Sequence, residues 1–376
     1  MRALFIASPG VGHVFPIIPL AWALRSAGHE VLVATSGEAL VASKAGLSVV
    51  DVAPEFEWEE MIARVQRDDP ALFQQMATMK ITDLREVAPV FGKMTDILID
   101  GIVDLADRWR PDVVVQSLLQ GSGLVVGGRL GIPVLGHGFG FARSTGMDDA
   151  LREQLKPAFD RYGVTEPPAS VAYVDVAPPS MVTQDPAAWP MRYVPYNGGG
   201  VLPSWLREMP AGRPRIAVTL GTVAPRVNGL GPVERIIAAA PDVDAEFVVA
   251  LGDADSSGLG ELPPNVHIAS WIPLNALLEV SSALVHHGGA GTTMTALAAG
   301  VPQLVLPSGA DRHINATAVH ARGAGLSGTE EELDAESLRR LLTDEKLIRT
   351  ASEVSAEMAA MPSPADVAER VARLVS

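Results

Sequence analysis

Short apolar runs alternate with amphipathic stretches along this 376-residue chain, and they occur in two successive series. The first series consists of residues 3–7, 30–35, 47–52, 112–116 and 132–135, and the second of residues 216–220, 245–250, 266–269, 283–286 and 303–306. Apolar runs without alternation, separated by helices, are typical of strands in a parallel sheet that is covered on both faces. The sequence therefore predicts an α/β protein built from two Rossmann-like passes.

The length of the chain also favours two domains, because a single hydrophobic core rarely grows beyond about 300 residues. A Gly- and Pro-rich stretch at residues 195–203 separates the two series of strands and is typical of a linker. We expect an N-terminal domain at 1–200 and a C-terminal domain at 201–360. The remaining residues, 361–376, contain a predicted helix at 364–375 that could pack against either domain, including a return to the N-terminal one. The polar segment 55–80 is predicted to be a mobile insertion that carries a substrate-binding loop.

Charge and composition exclude several classes of function. With 29 basic and 44 acidic residues the formal net charge is −15, which repels phosphate backbones and argues against a nucleic-acid partner. The absence of cysteine excludes disulfides, thiolate catalysis and Cys-based zinc sites. The first ten residues lack the long apolar stretch of a signal peptide, and the uncharged segment 280–310 contains histidines and glycines that do not suit a membrane span. We expect a soluble, cytoplasmic protein with no membrane partner.

The segment VHHGGAGTTMTALAAGVPQLVLP, residues 285–307, carries the strongest chemical signal. A predicted strand ends in two histidines, a Gly-rich turn follows, and a helix opens at about Thr292. Glycines let a ligand approach the backbone closely, and free N–H groups at a helix start attract anions. Thr292 and Thr293 would add hydroxyl donors. The pattern predicts a diphosphate site that needs no metal, whereas the simpler interpretation is a strand–turn–helix whose glycines serve packing.

Residues 271–315 resemble the donor-binding signature of inverting, nucleotide-sugar-dependent glycosyltransferases of the GT-B fold, with their HHGGAGT turn, GVPQ segment and downstream Asp311. MRYVPYNGGG at 191–200 and the opening GVGHVFPIIPLAWALRSAGHEV are similar to bacterial enzymes of this group that decorate polyketide antibiotics. The resemblance covers most of the chain except residues 55–80. It implies two Rossmann-like domains whose parallel sheets face each other across a cleft, with the acceptor on the N-terminal domain and the nucleotide sugar on the C-terminal one.

The same resemblance implies roles for the donor-binding residues. Trp271 would stack on the nucleobase, and the backbone of Ile272 would read the edge of the base. Asp311 would hydrogen-bond hydroxyl groups of the sugar. The diphosphate would be held by a set of small or polar residues, namely Thr222, His287, Gly288, Gly289, Ala290, Gly291 and Thr292.

Two departures from the family pattern narrow the expected donor. Thr295 stands where many relatives place a Glu that binds the ribose hydroxyls, which fits a deoxyribose and hence a dTDP-sugar. Arg312 stands where relatives usually have Gln, which argues against a glucose-like sugar and suits a deoxysugar with fewer hydroxyls. The expected co-substrate is therefore a dTDP-deoxysugar, and no cofactor is expected.

His13, in the loop after the first predicted strand, is the first candidate for a general base. A neutral imidazole whose pKa is near its ordinary value of about 6.5 can remove a hydroxyl proton at cellular pH. The alternative is a histidine that makes a structural hydrogen bond at a helix entry. Relatives often orient this histidine through an Asp at the end of the fourth strand, where this chain has Ser117. Either Ser117 or Gln116 orients His13 through a neutral hydrogen bond, or the base lies elsewhere. His137, after the fifth predicted strand, is the second candidate base, or else a loop histidine without a catalytic role.

The expected function is transfer of a deoxysugar from a dTDP-sugar to a small aromatic polyketide-type aglycone in antibiotic biosynthesis, with inversion, as an O- or C-glycoside. Two alternatives are a nucleotide-sugar epimerase and a non-catalytic nucleotide-binding partner of another transferase. The pairs Asp242/Asp244 and Asp253/Asp255 have the spacing of a metal-binding Asp-x-Asp, but they lie at predicted turns, so no metal site is expected. A homodimer is compatible with the sequence.

Overall fold

The computed structural model describes residues 1–70, 81, 83–143, 145–166, 168, 170–207, 212–221, 229–252, 255 and 257–375. The chain divides into two compact units. The first comprises Met1–Ala177, Thr183–Arg192 and Met361–Ser376, and the second Pro178–Val182 and Tyr193–Ala360. No helix in the described part of the chain is both long and apolar enough to cross a bilayer.

The first unit contains a seven-stranded parallel sheet with the strand order β3-β2-β1-β4-β5-β6-β7. Its strands are β1 Arg2–Ile6, β2 Glu30–Thr35, β3 Val49–Asp51, β4 Val113–Ser117, β5 Val134–His137, β6 Ala172–Asp175 and β7 Ala188–Pro190. Its first helices are α1 Val11–Val14, α2 Ile18–Ser26, α3 Trp58–Asp68, α4 Ala88–Trp109, α5 Ser122–Leu130, α6 Met147–Gln154 and α7 Lys156–Arg161. The central strands β1, β4 and β5 are buried on both faces, which explains their continuous apolar sequences.

The second unit contains a six-stranded parallel sheet with the order β10-β9-β8-β11-β12-β13. Its strands are β8 Arg215–Thr219, β9 Glu246–Ala250, β10 Val266–Ala269, β11 Ala283–His286, β12 Gln303–Val305 and β13 Gly325–Ser327. Its helices are α8 Gly231–Ala239, α9 Leu274–Leu278, α10 Ala290–Ala299, α11 Arg312–Arg322, α12 Ala335–Thr343 and α13 Glu345–Ala360. Short 3-10 turns connect elements in both units, at Phe15–Ile17, Gly37–Ala45, Leu84–Val87, Pro179–Met181, Ser204–Arg207, Ala240–Asp242 and Ser257–Leu259.

The last helix, α14 Pro364–Leu374, belongs to the first unit. Its sequence begins with a capping box in which Ser363 and Asp366 exchange side-chain and backbone hydrogen bonds. It packs against α2, and the Arg370 guanidinium lies 4.0 Å from the ring centroid of Trp189 in β7. The chain therefore returns to its first unit at its end.

All ten predicted strands are confirmed to within two residues at each end, whereas β6, β7 and β13 were not predicted. β7 and β13 are three-residue edge strands that contain Pro190 and Gly325, and β6 ends in the charged Asp175, so none of them produces the apolar run expected of a strand. Of the predicted insertion 55–80, residues 58–68 form α3, which buries Met61 and Val65 in the core of the first unit. Residues 71–80 lie outside the described part of the chain.

Candidate active site

In each unit, the predicted site residues lie just beyond the carboxyl ends of strands, which is where ligands bind in parallel α/β sheets. Thr222, which was predicted to help hold the diphosphate, lies outside the described residues. The described residues that end or follow a strand are His13 (β1), Ser117 (β4), His137 (β5), Trp271 (β10), His287 (β11) and Asp311 (β12).

His286, the last residue of β11, fixes the turn that follows it. Its Nδ1 accepts a hydrogen bond from the Gly288 N–H at 3.1 Å, and its Nε2 lies 2.8 Å from Oε1 of Gln303. Because Nδ1 accepts, the ring proton is on Nε2 and is donated to Gln303. Burial lowers the pKa of His286 to about 4, so the ring is neutral at pH 7. The first histidine of the pair and the Gln of the GVPQ segment are thus structural.

His287 lies between two glycine backbones. A Cβ added to Gly221, after β8, would lie 2.6 Å from Cε1 of His287, and one added to Gly289 would lie 2.6 Å from its Nε2. Gly221 also has a φ of +73°, a conformation that favours glycine. Burial and the positive charge of Arg312 lower the pKa of His287 to about 3. This imidazole is therefore neutral, held in a narrow slot, and close to a guanidinium.

The helix α10 begins directly after this slot, with Gly289 as its N-cap. No side chain caps its first turn, and that turn carries no acidic residue. Ala290, Gly291 and Thr292 are all partly exposed. The amides of this turn have no partner within the helix, so they can donate to an anion. The expectation that Thr293 adds a hydroxyl donor is wrong, because Thr293 is buried and donates to the Gly289 carbonyl at 2.9 Å.

The loop before α11 brings Asp311 and Arg312 to the same turn. Arg312 Nη1 donates to the carbonyl oxygen of Ser308 at 2.5 Å and to its hydroxyl at 2.9 Å. Asn315 Nδ2 donates to the Gly288 carbonyl at 2.8 Å and to Oδ2 of Asp311 at 3.2 Å. Burial raises the pKa of Asp311. The start of α11 is therefore tied to the Gly288 turn through a buried amide that sequence reasoning did not single out.

Thr295, the residue in the position of the family's ribose-binding Glu, is fully buried. Its hydroxyl donates to the Gly291 carbonyl at 2.6 Å. Asn197, from the Gly-rich stretch after β7, donates to the Thr295 hydroxyl at 3.3 Å and accepts from the Asn275 N–H at 3.1 Å. The stretch predicted as a linker therefore packs against α10, and Asn197 is a hydrogen-bond partner of the Thr295 hydroxyl. Its position in the NGGG segment was the available signal, but nothing in the sequence indicated its hydrogen-bond partner.

Trp271 and Ile272 follow β10, where the resemblance places the nucleobase. Trp271 is 45% exposed, which is high for a tryptophan. Its indole lies against Gly198, because a Cβ there would come within 3.1 Å of Cζ2. Ile272 is partly buried, and within the described residues its backbone N–H and C=O have no hydrogen-bond partner. An exposed indole beside a free peptide edge is the arrangement that stacking and edge recognition of a base require.

His13, in α1, is held by two aromatic side chains. Its ring centroid lies 5.4 Å from that of Phe91 and 5.6 Å from that of Phe139, both in edge-to-face geometry. Burial lowers the pKa of His13 to about 4, which differs from the ordinary value expected from the sequence. The sequence left open an orienting hydrogen bond from Ser117 or from Gln116, and neither is present at Nδ1 of His13. Among the described residues, that nitrogen, Oγ of Ser117 and Oε1 of Gln116 have no hydrogen-bond partner. The missing contact fits the length of the side chain, because serine is one atom shorter than the Asp that relatives often have at this position.

His137 is the more deeply buried of the two candidate bases. Its Nδ1 lies 2.7 Å from the Gly138 carbonyl, to which it donates, so its Nε2 is unprotonated. Nε2 is buried and has no partner among the described residues. Burial lowers the pKa of His137 to about 4. Ser117 pairs with His137 in register, so the two side chains lie on the same face of the sheet.

An ion pair that was not predicted, between a partly buried arginine and a buried aspartate, lies at the same edge of the sheet. Arg143 Nη2 is 2.8 Å from Oδ2 of Asp175, the last residue of β6. Asp175 is 7% exposed, and burial raises its pKa despite the neighbouring guanidinium. No sequence signal joins these positions, because β6 itself was not predicted. In contrast, Asp244 of the Asp-x-Asp candidate is an exposed residue paired with Arg213 at 2.7 Å.

Comparisons with known proteins identify the family of the chain. Models of the Erythromycin biosynthesis protein CIII-like family match the chain, the N-terminal domain model at residues 22–221 and the C-terminal domain model at residues 234–374. The elloramycin glycosyltransferase ElmGT of Streptomyces olivaceus is 44% identical over 375 residues, which cover 99% of this chain and 97% of that protein.

Two solved structures extend the comparison to the fold. The glycosyltransferase SnogD from Streptomyces nogalater superposes with a TM-score of 0.88 at 40% identity and covers 100% of this chain and 99% of its own. The glycosyltransferase SsfS6 from Streptomyces sp. SF2575, complexed with thymidine diphosphate, has a TM-score of 0.82 at 32% identity over 99% of each chain.

These likenesses confirm the predicted α/β architecture of the GT-B fold and the predicted enzyme class. Neither the epimerase nor the non-catalytic partner is supported by them, since all three proteins are named glycosyltransferases. The chain belongs to the Erythromycin biosynthesis protein CIII-like family and is a nucleotide-sugar-dependent glycosyltransferase.

Proposed function

We propose that this glycosyltransferase moves a deoxysugar from a dTDP-sugar to a small aromatic polyketide-type aglycone, with inversion, in antibiotic biosynthesis. The observation that carries the proposal is the uncapped first turn of α10 beside His287. In a chain of net charge −15, phosphate groups need such a local site. Backbone amides and the Thr292 hydroxyl would hold the diphosphate without a divalent ion.

Two features support thymidine diphosphate as the nucleotide part of the donor. The buried Thr295 hydroxyl is already bonded to Gly291 and Asn197, so it cannot replace a carboxylate that would bind a ribose 2′-hydroxyl. Thymidine diphosphate is also what the SsfS6 structure contains. The second unit would therefore bind the donor, with the Trp271 indole on thymine and the Ile272 backbone at its edge.

The sugar is proposed to be a deoxysugar. The Asp311 carboxylate would accept hydrogen bonds from sugar hydroxyls. One of its oxygens, Oδ2, already accepts a hydrogen bond from Asn315. Arg312 in place of Gln removes an amide that could both donate to and accept from further hydroxyls. Fewer hydroxyls on the sugar leave fewer unpaired polar groups when the site closes around it.

The acceptor would bind at the carboxyl edge of the first unit's sheet. Phe91 and Phe139 provide apolar ring surface beside His13, which suits a flat aromatic aglycone. Either His13 or His137 would take the acceptor proton, and both are neutral at pH 7 because burial lowers their pKa to about 4. A weak base is sufficient for a phenol, whose O–H is far more acidic than that of an alcohol.

The proposed reaction is a single displacement. The acceptor oxygen attacks the anomeric carbon from the face opposite the diphosphate, its proton passes to the base, and the bond to the β-phosphate oxygen breaks. One displacement inverts the configuration of that carbon. Charge that develops on the leaving diphosphate would be stabilised by the α10 amides, already oriented before the reaction.

A transfer assay with purified protein tests this function. The protein is incubated with several dTDP-deoxysugars and matched sets of aromatic and macrolide aglycones, with magnesium or with EDTA, and products are read by mass. We expect sugar transfer to aromatic aglycones that is unaffected by EDTA, and an inverted anomeric configuration by NMR. Preference for macrolides would contradict the acceptor class, and strict dependence on magnesium would contradict the proposed diphosphate site.

A further inference from the structure

Two helices of the second unit begin in contact with the same residue, Gly288. A Cβ at Gly288 would lie 3.1 Å from Cβ of Arg312 and 3.2 Å from its carbonyl oxygen, so the first residue of α11 packs directly on this backbone. The Asn315 side chain ties α11 to the Gly288 carbonyl at 2.8 Å. The helix α10 begins two residues later, at Ala290. The positive ends of both helix dipoles therefore lie at this turn.

Arg312 adds a full positive charge to the turn. Its side chain is partly buried and is anchored through Nη1 to Ser308, which restricts its position before any ligand binds. The guanidinium is close enough to His287 for its charge to lower the pKa of that imidazole. A planar guanidinium offers five N–H donors, and the bonds to Ser308 use only Nη1. The remaining donors suit a phosphate oxygen.

We propose that Arg312 binds the terminal phosphate of the nucleotide sugar and stabilises the charge that this phosphate gains as the sugar leaves. The inference rests on the proposed function and extends it, because it gives Arg312 a role in the chemical step beyond sugar selection. When the acceptor oxygen bonds to the anomeric carbon, the carbon–oxygen bond to the β-phosphate breaks and its electron pair goes to that oxygen. The terminal phosphate then carries one more negative charge, and the acceptor proton has moved to the base. A fixed guanidinium at this position stabilises the products of bond breaking more than the bound donor.

Calorimetric titration with three probes, thymidine, dTMP and dTDP, tests the role of Arg312 without a sugar donor. We expect Arg312→Gln to weaken dTDP binding about 10- to 100-fold, as loss of a charge-assisted phosphate contact would. Binding of dTMP should weaken by less than about threefold, and thymidine should bind as in the wild type. Arg312→Lys should retain most of the dTDP affinity because it keeps the charge. The matched control is Arg349→Gln, an exposed arginine on α13, which should leave all three affinities unchanged.

The remaining outcomes each overturn a stated part of the account. Unchanged dTDP affinity in Arg312→Gln overturns the proposal. Equal losses for all three probes also overturn it, because they would show that Arg312 acts by holding the loop at Ser308. Equal losses for dTMP and dTDP overturn the assignment to the terminal phosphate. If the wild-type protein binds none of the three probes, the proposed function itself is wrong.

Discussion

Gly289 and Gly291 lie two residues apart in the Gly-rich turn but have different surroundings, and alanine substitutions separate their roles. A Cβ at Gly289 would meet Nε2 of His287 at 2.6 Å, whereas the nearest atom to a Cβ at Gly291 is the Tyr193 hydroxyl at 3.7 Å. Gly289 has φ −59° and ψ 141°, which alanine adopts without strain. Any loss of stability in Gly289→Ala must therefore come from displacement of the His287 imidazole. We expect a destabilisation of about 1–2 kcal/mol. Gly291→Ala should instead stabilise the protein by about 0.5 kcal/mol, because it replaces a helical glycine.

The two variants should behave alike when dTDP binds. Gly289→Ala displaces His287 from the diphosphate, and Gly291→Ala puts a methyl group where a phosphate must approach the amides, so each should weaken dTDP binding at least about tenfold. Urea unfolding without ligand and calorimetry with dTDP measure the two effects separately. Wild-type dTDP affinity in Gly291→Ala would refute the reasoning, because the phosphates would then not lie against the first turn of α10.

Three further predictions concern buried charged and titratable groups. His13→Ala should lower kcat by about 10²–10⁴-fold with dTDP affinity unchanged, and His137→Ala assayed beside it identifies the base by the larger loss. Since burial holds the pKa of His286 near 4, the unfolded state takes up the proton first and stability falls as pH drops from about 6.5 to 4. Urea unfolding of His286→Gln at pH 7.5 and 4.5 should show a pH-dependent loss smaller by roughly 2–3 kcal/mol than in the wild type, and equal losses would contradict this pKa. Arg143→Met should destabilise the protein by about 3 kcal/mol because it leaves the buried Asp175 carboxylate without its charged partner. Adding Asp175→Asn to this variant should restore most of the lost stability. If the double variant recovers no stability, the loss comes from packing and not from charge.

The sequence predicted the two sheets because their central strands are long enough, and buried enough, to produce continuous apolar runs. It missed β7 and β13 because short edge strands are defined by pairing with a neighbour and not by their own pattern. It missed β6, which lies between β5 and β7, because the strand has only four residues and ends in Asp175. Because β6 was not predicted, Asp175 was not placed at the end of a strand, and its partner Arg143 lies in an irregular segment without a recognisable pattern.

The Gly-rich turn was predictable because glycines, histidines and a helix start follow one another within a few residues. The role of each residue inside this turn could not be predicted. His286 is hydrogen-bonded to Gln303, and Thr293 is hydrogen-bonded to Gly289. Only the fold shows that the polar atoms of these two side chains face inward. The same limit applies to Ser117, since a residue in the family's Asp position does not indicate whether its shorter side chain reaches His13.

A crystal structure of the protein with dTDP and EDTA tests the central claim most directly. The account predicts that the two phosphates lie within hydrogen-bond distance, about 2.7–3.2 Å, of the backbone amides between Gly289 and Thr292, with the terminal phosphate facing Arg312. Phosphates bound elsewhere while that turn stays empty, or nucleotide density only when a divalent ion is supplied, would contradict it.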